Sequence, residues 1–153
     1  MKSIVGGLLI VAVSTLLVLL PLSRHDISAV HAGSGCTRAS LTGSYAFSWS
    51  GFTNPNGPQP GHQAPWAAAG TATFDGAGNV STNYSTSING QVFTAQSSSG
   101  TYEVNSDCTG SLSFTSGNAA GFTANLVLAN NAREILGVDT GAGDTMSFDL
   151  KRR

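Results

Sequence analysis

From residue 44 to the C-terminus the chain repeats one pattern. Apolar side chains fall on every second position in short runs, and clusters of Gly, Pro, Asn and Asp separate the runs. A period of two is the period of a β-strand with one buried face, and no stretch of the region carries apolar residues at helical spacing. Tyr45, Phe47 and Trp49 fall on one face of the first run, opposite Ala46, Ser48 and Ser50. Further runs cover 66–74, 80–88, 91–96, 100–104, 109–115, 121–129, 133–139 and 145–150. Asn89-Gly90 is the strongest hairpin signal, because a two-residue turn of the favoured hand needs φ > 0 at both positions. The segment 53–65 holds Pro55, Pro58, Pro60 and Pro65, so it is neither strand nor helix throughout.

Eight or nine short strands joined in sequence by tight turns imply an antiparallel meander. So many strands in a small domain have to protect their edges, and closure into a single up-and-down barrel does so most simply. A β-sandwich is the alternative; its connections cross between sheets, and only 53–65 is long enough to do so. Leu112, Phe114, Phe122, Leu126, Leu128, Met146, Phe148 and Leu150 sit opposite polar neighbours and are expected inside. An eight-stranded barrel has room for those side chains or for one small ligand.

The first residues point to export. Met1-Lys2 is followed by an uncharged, Leu/Val/Ile-rich stretch over 4–20, and Val30-His31-Ala32 fits a signal-peptidase site. The expected organisation is a signal peptide over 1–32 and a β-barrel domain over 33–153, secreted or periplasmic in a bacterium. A retained N-terminal anchor is the alternative, favoured by the long charged stretch between Leu20 and Ala32; after cleavage no membrane association is expected. The segment 33–153 carries five Lys and Arg against seven Asp and Glu, a net charge of about −2 with no basic stripe, which argues against nucleic acid as a partner. Cys36 and Cys108 are the only cysteines, and in an oxidising compartment they are expected to form a disulfide. No cofactor or metal is expected. Nothing in the sequence sets the oligomeric state.

Several strings occur together and in order: Leu41-Thr42-Gly43-Ser44-Tyr45, Gly70-Thr71-Ala72-Thr73-Phe74-Asp75-Gly76-Ala77-Gly78-Asn79-Val80, Gly100-Thr101-Tyr102-Glu103-Val104-Asn105-Ser106-Asp107-Cys108-Thr109-Gly110 and Arg133-Glu134-Ile135-Leu136. With them the chain, over roughly 36–150, resembles a group of small exported bacterial proteins of uncharacterised activity. The resemblance implies a calycin-like or allene oxide cyclase-like barrel. It carries over no catalytic residue, because none of the cyclase or dirigent catalytic groups has a match here.

Candidate site residues follow from chemistry. Glu134 begins a run that is apolar on both faces; if Leu136 and Val138 point inward, Glu134 becomes a carboxylate in an apolar barrel, a proton donor or cation ligand. Otherwise it is a rim carboxylate. Tyr45, Trp49, Tyr84 and Tyr102 combine a ring that stacks on a ligand with a polar tip, or they simply fill the core. His62 lies in the Pro-rich segment near Trp66, which makes that segment a candidate lid or rim; no Gly-x-Ser-x-Gly elbow accompanies the histidine. Asp75-Gly76-Ala77-Gly78-Asn79 and Asp139-Thr140-Gly141-Ala142-Gly143-Asp144 lack the ligand spacing of a calcium loop and read as turns.

Three functions remain. The first is an exported barrel, not an enzyme, that binds a small apolar molecule in its interior or at the mouth near 53–65. The second is an isomerase or cyclase of the allene oxide cyclase type using Glu134 and a tyrosine. The third is a surface or matrix component acting through its outer faces, which a barrel with no interior cavity favours over both others.

Overall fold

The computed structural model describes residues 35–54 and 63–153. The expected signal peptide and His62 lie outside the described residues. Eight strands follow one another: β1 (Thr42–Thr53), β2 (Ala64–Asp75), β3 (Asn79–Ile88), β4 (Gln91–Val104), β5 (Thr109–Gly117), β6 (Thr123–Ala129), β7 (Glu134–Asp139) and β8 (Thr145–Arg152). Each pairs antiparallel with the next, and β8 returns to β1 over Tyr45↔Arg152 to Phe52↔Thr145, closing an up-and-down barrel. The sandwich is thereby set aside. The count is eight because 91–96 and 100–104 are one strand. β4 takes up the mismatch with irregularities opposite Tyr84–Thr86 and at Ser99–Gly100, and Ala95 adopts φ 54° at the first of them.

The alternation sorts side chains as the pattern requires. Tyr45, Phe47 and Trp49 are buried, as are Leu112, Phe114, Phe122, Leu126, Leu128, Met146, Phe148 and Leu150. The interior is filled by setting aromatics against glycines on neighbouring strands. Gly70 is in register with Phe47 on one side and Tyr84 on the other, Gly100 with Phe114, and Gly137 with Phe148. A Cβ on Gly137 would sit 2.1 Å from Phe148 Cζ, so the ring occupies the space a side chain would have taken. That large-against-small layering is how a barrel interior reaches native density.

The same device decides the orientation of β7. Ile135 is fully buried and Gly137 shares its face, while Leu136 and Val138 are about half exposed. The alternative in which Leu136 and Val138 line the core does not occur, because Phe148 has already filled the place opposite Gly137.

Strand directions define two ends. The lower end holds the turns after β2, β4 and β6, and the upper end holds those after β3, β5 and β7. A 3₁₀ turn over Arg38–Ser40 and the buried Leu41 close the lower end. The disulfide Cys36–Cys108 fastens that segment to the turn before β5, with Cα atoms 5.0 Å apart.

Candidate functional site

The aromatic residues divide between the two ends. At the lower end Tyr45 and Tyr102 both pack edge-on against Phe74, with ring centroids 5.4 and 5.1 Å away. Their hydroxyls are committed to backbone. Tyr45 donates to Ala132 O at 2.6 Å, and the single Tyr102 proton lies between Leu41 O at 2.8 Å and Arg38 O at 3.0 Å. Burial pushes both phenols above their ordinary pKa. Of these two candidate tyrosines, Tyr102 thus ties the plug and Tyr45 the β6–β7 turn beside it. Nearby, the exposed Arg38 and Glu103 form a forked ion pair, with Arg38 Nε donating to Glu103 Oε2 at 2.8 Å.

Trp49, Trp66 and Tyr84 do come together, at the upper end. Trp49 lies at their centre, 5.5 Å from Trp66, 5.7 Å from Tyr84 and 5.2 Å from Phe122. Trp66 Nε1 donates to Thr86 Oγ1, which in turn donates to Ala67 O at 3.1 Å. Trp49 Nε1 is buried and has no hydrogen-bond partner among the described residues. A buried N–H without an acceptor costs about 1–3 kcal/mol, and it marks the one point in the aromatic cluster where an acceptor from outside would be favoured.

Beside this cluster the β7–β8 turn forms an acidic corner. Asp144 Oδ1 accepts from Thr53 Oγ1 and from the Asn54 N–H, both at 2.9 Å, which ties the turn to the end of β1. Asp139 shares the inward face of β7; its Oδ1 accepts from the Gly141 N–H at 2.6 Å, but its buried Oδ2 has no partner among the described residues. Burial raises the Asp139 pKa, and the neighbouring Asp144 charge adds to the effect. No sequence signal singled out Asp139 beyond its place in a Gly-rich turn. Its inward phase could have been read only once Ile135 was known to face the core.

Glu134 faces out. Its Oε2 accepts from Asn130 Nδ2 at 2.7 Å, and Lys151 Nζ lies 3.9 Å from Oε1 across the β7–β8 pair. The condition for an interior acid, Leu136 and Val138 inside, is not met, so Glu134 is a rim carboxylate. The Asp75 turn is self-contained: the Asn79 side chain and the N–H groups of Ala77 and Asn79 donate to its carboxylate and hold its pKa down at about 2. Among the described residues no group of three His, Cys, Asp or Glu side chains is placed to hold a metal ion.

The interior offers a ligand little space. The void between Phe47, Trp49, Phe74, Phe114, Phe122 and Phe148 measures about 20 Å³. Such a void is no larger than about one water molecule needs, whereas small-molecule sites run to about 300–1,000 Å³. Comparison of the chain with protein families, with curated proteins and with solved structures finds no match.

Proposed function

We propose that the protein is a non-enzymatic contact module, exported from a bacterium by its first 32 residues, that works through its outer wall and rim. The observation that carries this reading is the filled interior, with its void of about 20 Å³. A carrier needs a cavity, and a cyclase needs acid and base groups lining one. Glu134 on the outer wall, and two of the four tyrosines bound to backbone carbonyls, weigh against the cyclase reading. Exposed aliphatic residues on the wall support contact there: Val127 and Leu136 face each other across β6 and β7, with Val138 two residues on. The disulfide is compatible with export.

A second reading keeps a small neutral molecule as ligand, seated on the upper aromatic cluster. The unpartnered Trp49 Nε1 favours it, since an acceptor brought to that atom by a ring packed on the cluster would satisfy the donor. Native mass spectrometry of the protein from its secreted or periplasmic fraction separates the two. The contact reading expects the mass of the polypeptide alone. A co-purified molecule of defined mass, lost on replacing Trp49 by Phe, would overturn it in favour of the second.

A further inference from the structure

β4 is the longest strand, and its upper part has a neighbour on one side only. β5 pairs with it from Ser98↔Gly117 downward, and the β5–β6 turn covers the next residue, with the Asn118 N–H donating to Ser97 O at 3.0 Å. Above that point, residues 91–96 pair with β3 alone, and no strand among the described residues lies along their other edge. The phase of the hairpin fixes which groups are free. Ile88 and Gln91 flank the two-residue turn and exchange hydrogen bonds, as do Thr86 and Phe93, so Val92 and Thr94 direct their N–H and C=O groups away from β3. Thr94 O accepts instead from the Gln96 side chain of its own strand, at 2.9 Å.

Open edges are normally guarded by lysine, proline or an inward charge. Residues 79–101 contain no charged residue and no proline. The one guard is the irregularity at Ala95, which leaves 91–94 straight above it. At that tip Val92 is 68 % exposed and Phe93 42 % exposed. A lipid surface would take up the apolar side chains but leave the edge N–H and C=O groups unpaired. A strand satisfies both. An uncharged strand meets its own copy without the repulsion that a charged edge would impose.

We propose that two copies of the chain join edge to edge through residues 91–94 of β4, antiparallel about a two-fold axis at Phe93. In that register Val92 of each copy exchanges both backbone hydrogen bonds with Thr94 of the other, and the Gln96 side chain yields Thr94 O to the incoming N–H. The two Phe93 rings meet as a close, non-hydrogen-bonded pair on the mouth side. The contact is short, so the dimer is weak and concentration-dependent. The proposal is independent of the contact reading above: a small molecule found at the aromatic cluster would leave it standing.

Sedimentation velocity from micromolar to near-millimolar protein tests it. The expected result is a shift from monomer to dimer with rising concentration. Val92→Lys, which places a charge on the edge, and Thr94→Pro, which removes an outward N–H, each weaken dimerisation at least about tenfold, the range expected from lost edge hydrogen bonds. Both variants should keep the wild-type circular dichroism; should Thr94→Pro fail to fold, Val92→Lys decides alone. A protein that stays monomeric at the highest concentration overturns the proposal. So does a dimer unaffected by Val92→Lys, or a monomer that instead binds phosphatidylcholine vesicles.

Discussion

The two ends of the barrel are built to opposite standards. At the lower end the described groups that close the core are tied, and the one unpartnered buried atom toward that end, Asp149 Oδ1, belongs to the wall beside Lys151. A disulfide anchors the entering chain, a 3₁₀ turn and Leu41 cap the core, and Tyr45 and Tyr102 donate to backbone carbonyls from opposite sides. At the upper end Trp49 Nε1 and Asp139 Oδ2 are buried without partners, β4 overhangs its neighbour, and Phe52, Val92 and Phe93 stand in solvent. The wall between them is one continuous meander, so apart from the β4 overhang the difference does not come from the strands. It comes from what is added: the segment before β1 is spent on sealing one end, and nothing equivalent among the described residues seals the other. A rigid closed end beneath an incompletely satisfied one is the arrangement expected where contact is made at the rim.

The sharpest way to break the comparison is to untie the lower end. The bridge joins residues 72 apart in sequence, and on the chain-entropy account closing such a loop contributes up to about 4 kcal/mol. Replacing Cys36 and Cys108 together by Ser should lower the urea-unfolding free energy by about that amount. A loss below about 1 kcal/mol, within the ordinary range for a single substitution, would make the lower end no better fastened than the upper. Tyr102→Phe comes next in size. It takes the hydroxyl donor from Leu41 O, while Arg38 O keeps the Leu41 N–H at 3.0 Å, and should cost about 1–3 kcal/mol. Tyr84→Phe, in the upper cluster, removes a hydroxyl that no described residue engages and should stay within about 0.5 kcal/mol of wild type. Equal losses from the two tyrosines would erase the distinction between the ends.

The barrel was legible in the sequence because period-two alternation and turn chemistry are local, and each strand states its own faces. Asn89-Gly90 and the Asp75–Asn79 turn lie where their residue types require. The disulfide was legible from cysteine arithmetic alone. What could not be read was anything decided by a partner across the wall. β7 shows an Ile and a Gly on one face and a Leu and a Val on the other, so hydrophobicity points the wrong way. Only the Phe148 ring over Gly137 explains why the less apolar face is inside. The site suffered similarly. Four aromatic residues with polar tips look alike in sequence, yet two of them lie at the lower end and two at the upper, because the carbonyls of Ala132, Arg38 and Leu41 are brought to the first pair by tertiary contacts alone.

The acidic corner of the upper end gives a small effect, and one with a defined pH dependence. The Asp139 carboxyl is raised above its ordinary value by burial first, with the Asp144 charge adding to it. A raised carboxyl means the folded state holds the proton more tightly than the unfolded chain, so ionisation of Asp139 lowers stability as pH climbs from the unfolded value through the folded one. Asp139→Asn removes that penalty and should stabilise the protein by about 1 kcal/mol at pH 7, the scale of one unsatisfied polar group. Below the unfolded carboxyl value of about 3.9 the wild-type group is protonated in both states, and the gain should vanish. Asp75 and Asp107 pull the other way: hydrogen bonds from Asn79 and Thr109 hold their carboxyls low, so their contribution is lost on acidification. Both variant and wild type share that loss, and comparing the two at each pH cancels it. A gain of equal size at pH 3 and pH 7 would mean that ionisation of Asp139 is not what strains the upper end. The unpartnered oxygen would then be a defect of packing, and the rim would differ from the plug in shape alone.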